Sequence, residues 1–218
     1  MKVGVVDYGA GNLVSVGQAL THIGATVVIV RDARPFDEID ALVVPGVGAA
    51  RPAMRRLRRF GLLAPIRAWL DDDRPYLGIC LGLQLLFEGS DEDGAETLGV
   101  LRGRTTRLED TPTLPHIGWN QIERDHDHPL FDGIDDGADV YFVHSYAGAP
   151  RDPHVIVAQT THGRRFVSAI ARGRTFGVQF HPERSGRDGL RLLANFVSIA
   201  READATARAS AQSVEVAL

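Results

Sequence analysis

Along the first part of the chain, short apolar runs alternate with segments of helical spacing. Lys2–Val6, Ala25–Val30, Ala41–Val44 and Tyr76–Cys80 read as strands. Between the first two, Leu13, Val16, Leu20 and Ile23 recur on one helical face. Asn12 is placed to cap the start of that helix and Gly24 to end it. A βαβ start this compact implies a parallel sheet with right-handed crossovers. Arg51–Leu70 reads as mostly helical, broken near Gly61 and Pro65, with its arginines on a solvated face. After Cys80 the spacing of Leu81, Leu85 and Leu86 predicts a helix that follows the strand with no loop and runs to Glu88. The order β-α-β-loop-β-α-β-α predicts an α/β, doubly wound architecture.

Beyond Glu88 the pattern changes. Ser90–Thr97 is acidic and reads as a surface loop, followed by strand-like pieces at Gly99–Leu101 and Thr105–Leu108 and the polar-aromatic stretch His116-Ile117-Gly118-Trp119-Asn120. Val140–Val143, Val155–Thr160, Phe166–Ile170 and Phe176–Phe180 read as strands from their β-branched and aromatic content. Leu190–Ile199 reads as a closing helix. From Arg201 the chain is alanine-rich without an apolar stripe, so one domain over 1–200 and a frayed or disordered tail over 201–218 are expected.

Composition narrows the function classes. With 218 residues the chain can build one α/β domain with a full core. The net charge of −4 argues against a nucleic-acid footprint, which needs a basic face. No apolar run approaches the roughly 20 residues of a membrane span, and the start of the chain lacks a signal-peptide pattern. Cys80 is the only cysteine, which excludes an intrachain disulfide and a Cys-based zinc site. A cytoplasmic protein is expected. His126, Asp127 and His128 stand on a polar turn whose adjacent positions present no coordination face, so no metal is expected there. Asp7-Tyr8-Gly9-Ala10-Gly11-Asn12 is glycine-rich but is not G-x-G-x-x-G, and Asp7 and Tyr8 would crowd a pyrophosphate. No cofactor is expected.

Candidate chemistry centres on Cys80. It sits at the predicted strand-to-helix junction with Gly78 and Gly82 on either side, the nucleophile-elbow pattern with Cys in the Ser position. A cysteine packed under a helix would give the same local pattern, so partners must decide. His181-Pro182-Glu183 puts an imidazole and a carboxylate two residues apart at the end of a strand, where both leave on one side. Alone this is an ordinary surface turn. Together with a lone cysteine on an elbow it reads as a Cys80–His181–Glu183 triad, the carboxylate fixing the imidazole tautomer and the imidazole holding a thiolate. The N-terminus of the helix beginning at Leu81 adds partial positive charge. The Leu81 N–H, directly after the nucleophile, is one expected oxyanion donor. The loop Pro45-Gly46-Val47-Gly48 supplies the other, with Val47 and Gly48 as candidates. Gln84 lies one helical turn beyond Cys80 and can line the pocket. These parts define acyl transfer through a thioester.

Gly78-Ile79-Cys80-Leu81-Gly82, Pro45-Gly46-Val47-Gly48 and Gln179-Phe180-His181-Pro182-Glu183 together resemble the class I, triad-type glutamine amidotransferases. Asp7–Leu13, the Pro45–Gly48 loop, His116–Asn120 and Tyr141-Phe142-Val143-His144-Ser145-Tyr146 narrow the resemblance to the glutaminase subunits of imidazole glycerol phosphate synthases, over about residues 2–200. The resemblance implies a three-layer, flavodoxin-like fold with a mixed, mostly parallel sheet. It implies that Cys80 attacks the side-chain amide of glutamine, that His181 shuttles protons and that Glu183 orients it. It further implies that Val47 completes the oxyanion hole after a peptide flip. Gln84, Ser145 and Tyr146 match positions near the glutamine pocket and partner interface. The implied partner is a (β/α)8-barrel cyclase, in a heterodimer that passes ammonia to the cyclase substrate in histidine biosynthesis. Three positions depart from the family pattern: Arg184 for a usual Lys, Ala50 for a usual Phe and Leu83 for a usual Met. None removes a catalytic group. A glutaminase subunit serving another acceptor, a partner-independent hydrolase with the same triad, and a flavodoxin-like redox sensor with Cys80 as a regulatory thiol are the alternatives.

Overall fold

The computed structural model describes the backbone of residues 1–215 and the side chains of residues 1–203. In chain order the elements are β1 (Lys2–Val6), α1 (Leu13–His22), β2 (Thr26–Val30), β3 (Ala41–Gly46), α2 (Ala50–Arg59), α3 (Leu63–Asp71), β4 (Tyr76–Cys80) and α4 (Leu81–Gln84). There follow β5 (Gly89–Ser90), β6 (Ala95–Glu96), β7 (Gly103–Arg107), β8 (His116–Gln121), β9 (Glu123–Arg124), β10 (Asp139–His144) and β11 (Tyr146–Pro150). The last are β12 (Ile156–His162), β13 (Arg164–Arg172), β14 (Thr175–Val178) and α5 (Gly186–Glu215). The central sheet has the order β2-β1-β3-β4-β14-β13-β12-β9. Its first five strands are parallel, and β13, β12 and β9 continue it antiparallel.

Both faces of the parallel part are covered, which is why its strands read as unbroken apolar runs. Val3, Val5, Val43, Leu77 and Ile79 face a core that also holds residues of α1 and α5. Leu42, Val44 and Tyr76 face a second core built with Met54 and Leu57 of α2 and Ile66, Trp69 and Leu70 of α3. This is the expected three-layer, doubly wound α/β arrangement. Among the described residues no helix is long and apolar enough to cross a membrane.

Several local expectations are corrected. The helix after Cys80 stops at Gln84 instead of running to Glu88. Leu85, Leu86 and Phe87 are all fully buried, so this stretch has no polar face to present. Their carbonyls leave the helical ladder and accept from Leu98, Leu101 and Gly99. A four-residue helix has almost no macrodipole, so the expected field of a long helix at Leu81 reduces to its own first N–H groups. Pro65 does not break the second helical segment; it lies in the first turn of α3, where a missing N–H costs little. The break falls at Gly61, whose φ of 68° takes the chain out of α2. Gly99–Leu101 forms no strand. In a small sheet ordered β11-β7-β5-β6, only β7 answers to an expected strand, Thr105–Leu108, and β5 and β6 form within the segment that reads as a surface loop.

His116–Gln121 pairs antiparallel with Asp139–His144 as a separate two-stranded ribbon. The last central strand ends at Val178, and Pro182–Arg184 is a 3-10 turn, so a turn and not strand alternation sets the His181–Glu183 geometry. Asn12 stands at the N-cap of α1 without a side-chain cap. The closing helix is longer than 190–199 and keeps helical backbone to Glu215. The rest of the segment expected as a tail lies outside the described residues.

Candidate active site

The site forms where β3 and β4 end side by side. Gly46 pairs in register with Cys80, so the Val47–Gly48 loop leaves its strand directly beside the cysteine. Pro45 is tolerated within β3 because pairing with β1 stops at Val43, leaving no partner for its missing N–H. Cys80 has φ 53° and ψ −106°, a conformation costly for a residue with a side chain. The turn is packed so closely that a Cβ on Gly82 would come within 1.8 Å of the Val44 carbonyl oxygen. One on Gly78 would come within 2.5 Å of the Gly82 backbone. The elbow is thus strained, held from both sides, and part of the core; the cysteine is 6% exposed.

His181 Nδ1 lies 2.9 Å from Glu183 Oε1, and both side chains are buried. Two contacts hold the turn that carries them: the His181 N–H donates to Tyr141 O at 2.9 Å, and Ser185 Oγ donates to His181 O at 2.7 Å. Nε2 of His181 is buried and makes no hydrogen bond of ordinary distance and angle. Burial by itself would push the imidazole pKa down. Cys80 first and Glu183 second reverse this and hold it up at about 10. Both neighbours thus favour the protonated ring, poised against the sulfur.

Val47, Gly48, Cys80, Gln84, Ser145 and Tyr146 all line one pocket of about 260 Å³, together with Glu92, Pro115, Val143 and His144. Leu81 is buried directly behind the cysteine. A larger hollow of about 500 Å³ beside α1 and β2 contains no cysteine and no carboxylate, so chemistry and not size singles out the smaller one.

Three contributors to the site carry no assignment from the sequence. Gln179, inside the quoted Gln-Phe-His-Pro-Glu stretch, donates from Nε2 to Cys80 Sγ at 3.5 Å. Its Oε1 accepts from Gln84 Nε2 at 3.1 Å, and Gln84 Nε2 also donates to Tyr146 O at 2.9 Å. Glu92, in a segment that reads as a surface loop, brings the one carboxylate in the pocket lining. Burial, with Asp93 second, raises its pKa. His144 backs the pocket in a chain whose tautomers follow from its ends. The Tyr146 carbonyl can only accept, so His144 Nδ1 donates to it at 2.9 Å. His144 Nε2 then accepts from His116 Nδ1 at 3.1 Å, and His116 Nε2 accepts from Asn120 Nδ2 at 3.2 Å. Burial pushes both rings down, to about 3 for His144 and about 4 for His116, so both stay neutral. The two faces of a strand are legible as alternation, but the pairing that joins these side chains is not.

A cysteine on a strained elbow, an imidazole aimed at it and a buried carboxylate on the far ring nitrogen suit acyl transfer. Residues 4–200 match the family Glutamine amidotransferase class-I. The chain belongs to that family. It is 47% identical over 201 residues to the imidazole glycerol phosphate synthase subunit HisH of Synechococcus sp. (strain JA-3-3Ab), covering 90% of this chain and 93% of that one. The HisH subunit of Aquifex aeolicus (strain VF5) is 46% identical over 198 residues, covering 90% and 96%. The crystal structure of a putative GMP synthase component from Thermoplasma acidophilum superposes with a TM-score of 0.73 at 20% identity, covering 95% of this chain and 98% of that one. At that identity it shows the shared fold alone. As an amidotransferase of the HisH kind, the chain is an enzyme subunit whose Cys80, His181 and Glu183 stand together at the carboxyl edge of the sheet, the usual place for a ligand in such folds.

Proposed function

We propose that this chain hydrolyses glutamine to glutamate and ammonia at Cys80 and delivers the ammonia to a (β/α)8-barrel cyclase. That partner would use it to make imidazole glycerol phosphate and AICAR in histidine biosynthesis, in the cytoplasm. The observation that carries the chemistry is the ring of His181, buried between Cys80 and Glu183 with Nε2 unpartnered toward the sulfur.

The thiolate attacks the amide carbon, and the Leu81 N–H with that of Val47 or Gly48 receives the charge on oxygen. Each such donor lowers the barrier by about 3 kcal/mol. His181 gives its proton to the leaving nitrogen, so ammonia departs and a thioester remains. The neutral imidazole then activates water, which releases glutamate. Glu92 is suited to the substrate's ammonium, being the one carboxylate in the lining. Gln84, Ser145 and Tyr146 shape the rest of the pocket.

The surface beside the pocket supports a partner that covers it. Ile117 is 60% exposed, Trp119 57% and Val47 47%, large apolar groups held out in water on one side of the molecule. Ile117 pairs with Val143, and Val143 lines the pocket, so this face runs into its mouth. Arg184 stacks over Tyr141 at 4.1 Å, and Trp119 meets Tyr141 edge-on, which braces the patch.

The test is the glutaminase rate of the purified chain, alone and with an imidazole glycerol phosphate cyclase and its substrate. Hydrolysis should switch on with the liganded cyclase. Silence with this cyclase and activity with another synthase would overturn the partner assignment. Full activity of the isolated chain would indicate a free-standing hydrolase.

A further inference from the structure

In the sequence Tyr8 reads only as an obstacle to a nucleotide, yet it is placed at the centre of the site's construction. Its side chain is fully buried and its hydroxyl has no hydrogen-bond partner. It lies against the one residue of β3 that cannot carry a side chain. A Cβ on Gly46 would come within 2.2 Å of Tyr8 Oη and 2.9 Å of Leu81 Cβ. The phenol and Leu81 thus both close on Gly46, whose peptide carries the Val47 N–H, so the hydroxyl stands beside both expected oxyanion donors. It does not line the pocket, so it approaches Gly46 from the opposite side.

The turn bearing it is tied down. Asp7 accepts from the Gly9 N–H at 3.1 Å and from Arg31 at 2.9 Å, and Arg56 donates to Gly9 O at 2.7 Å. A buried hydroxyl with no partner is unfavourable where phenylalanine would fill the same volume. Such a group has a reason to exist if another backbone position satisfies it. In a trans peptide the N–H and C=O point in opposite directions. When the Gly46–Val47 peptide turns its N–H to the pocket, its carbonyl turns away from the pocket, toward Tyr8.

We propose that Tyr8 is a positioning residue: its hydroxyl donates to the Gly46 carbonyl and so holds the Val47 N–H toward the oxygen of the amide that Cys80 attacks. This rests on the glutaminase reading above. Burial, with the Cys80 charge second, holds the phenol pKa well above its ordinary range, so the donor proton persists across the working pH. The proposal also explains why the glycine at 46 is obligatory: any side chain there would displace the hydroxyl from its acceptor.

The experiment is Tyr8→Phe in the complex with the liganded cyclase, compared with wild type. The expected result is a kcat for glutamine hydrolysis lower by about tenfold or more, with KM changed less than twofold. The melting temperature should be unchanged or higher, and alkylation of Cys80 by iodoacetamide equally fast. An unchanged kcat would overturn the proposal. So would a fall in kcat matched by a lower melting temperature and altered alkylation, which would mark Tyr8 as mere packing. A wild-type chain that hydrolyses no glutamine under these conditions would instead overturn the function on which the proposal rests.

Discussion

Glu183 contacts His181 through Oε1, while its second oxygen is buried without a partner. Glu183→Gln keeps an acceptor for the ring N–H but removes the charge that stabilises the imidazolium. We expect kcat to fall by about 10²-fold and the imidazole pKa to drop below its present value near 10, read from a pH–rate profile and an NMR titration. The sign for stability follows from the same shift. The folded-state pKa lies above the ordinary 6.5, so the imidazolium's contribution is fully present below about 6.5 and is lost as pH rises toward 10. Denaturant unfolding of wild type between those limits should show the decline, and His181→Gln should flatten it. Cys80→Ala should reduce glutamine-dependent synthesis by about 10⁴-fold or more while ammonia-dependent synthesis by the partner continues, as product formation from each nitrogen source would show. Glu92→Gln should raise KM for glutamine by about tenfold with a smaller effect on kcat. Because burial raises the Glu92 pKa, KM should also begin to climb at a higher pH, on acidification, than an ordinary glutamate would give.

Among elements, the joint between β3, β4 and α4 is the tightest. Gly82→Ala puts a methyl group within 1.8 Å of a backbone oxygen that cannot swing aside. A loss of about 3 kcal/mol or more is expected, measured by urea unfolding, and the elbow should fail together with the fold. Part of this joint is legible in the sequence: the glycines flanking Cys80 after an apolar run mark an elbow once His181 and Glu183 are read with them, since a packed cysteine would give the same local pattern. The short α4 is not. Leu85 and Leu86 keep helical spacing, but their carbonyls are taken by residues 98–101, a competition no local pattern reveals. His181 and Glu183 do pair, but through a 3-10 turn in place of the strand alternation that the sequence suggests. Gln179 is visible inside its motif, but its aim at Cys80 depends on β14 lying next to β4, which only the sheet order establishes.

At the scale of the whole molecule, the pocket opens beside an apolar face made by Val47, Ile117 and Trp119. Trp119→Ala should weaken binding of the cyclase by about 2 kcal/mol, roughly 30-fold in Kd, with an unchanged melting temperature. Titration calorimetry and thermal unfolding would separate the two effects. The α/β scaffold supplies little beyond rigid strand ends, and its neighbours at 18–21% identity share it. The β8–β10 ribbon and the loops around the pocket carry the rest of the site, and there sequence patterns are short and contacts are long-range.

That ribbon has a consequence for how the protein can change over generations. Along β8, His116 and Asn120 face inward to the chain that backs the pocket, while Ile117 and Trp119 face outward. Inward and outward positions alternate, so losing or gaining one residue would exchange them, turning the tryptophan in and the histidine out. A single-codon deletion would therefore disturb the pocket beside Cys80 and the outward apolar face in one event. Outward side chains can be exchanged here one at a time, but the length of this strand is closed to drift.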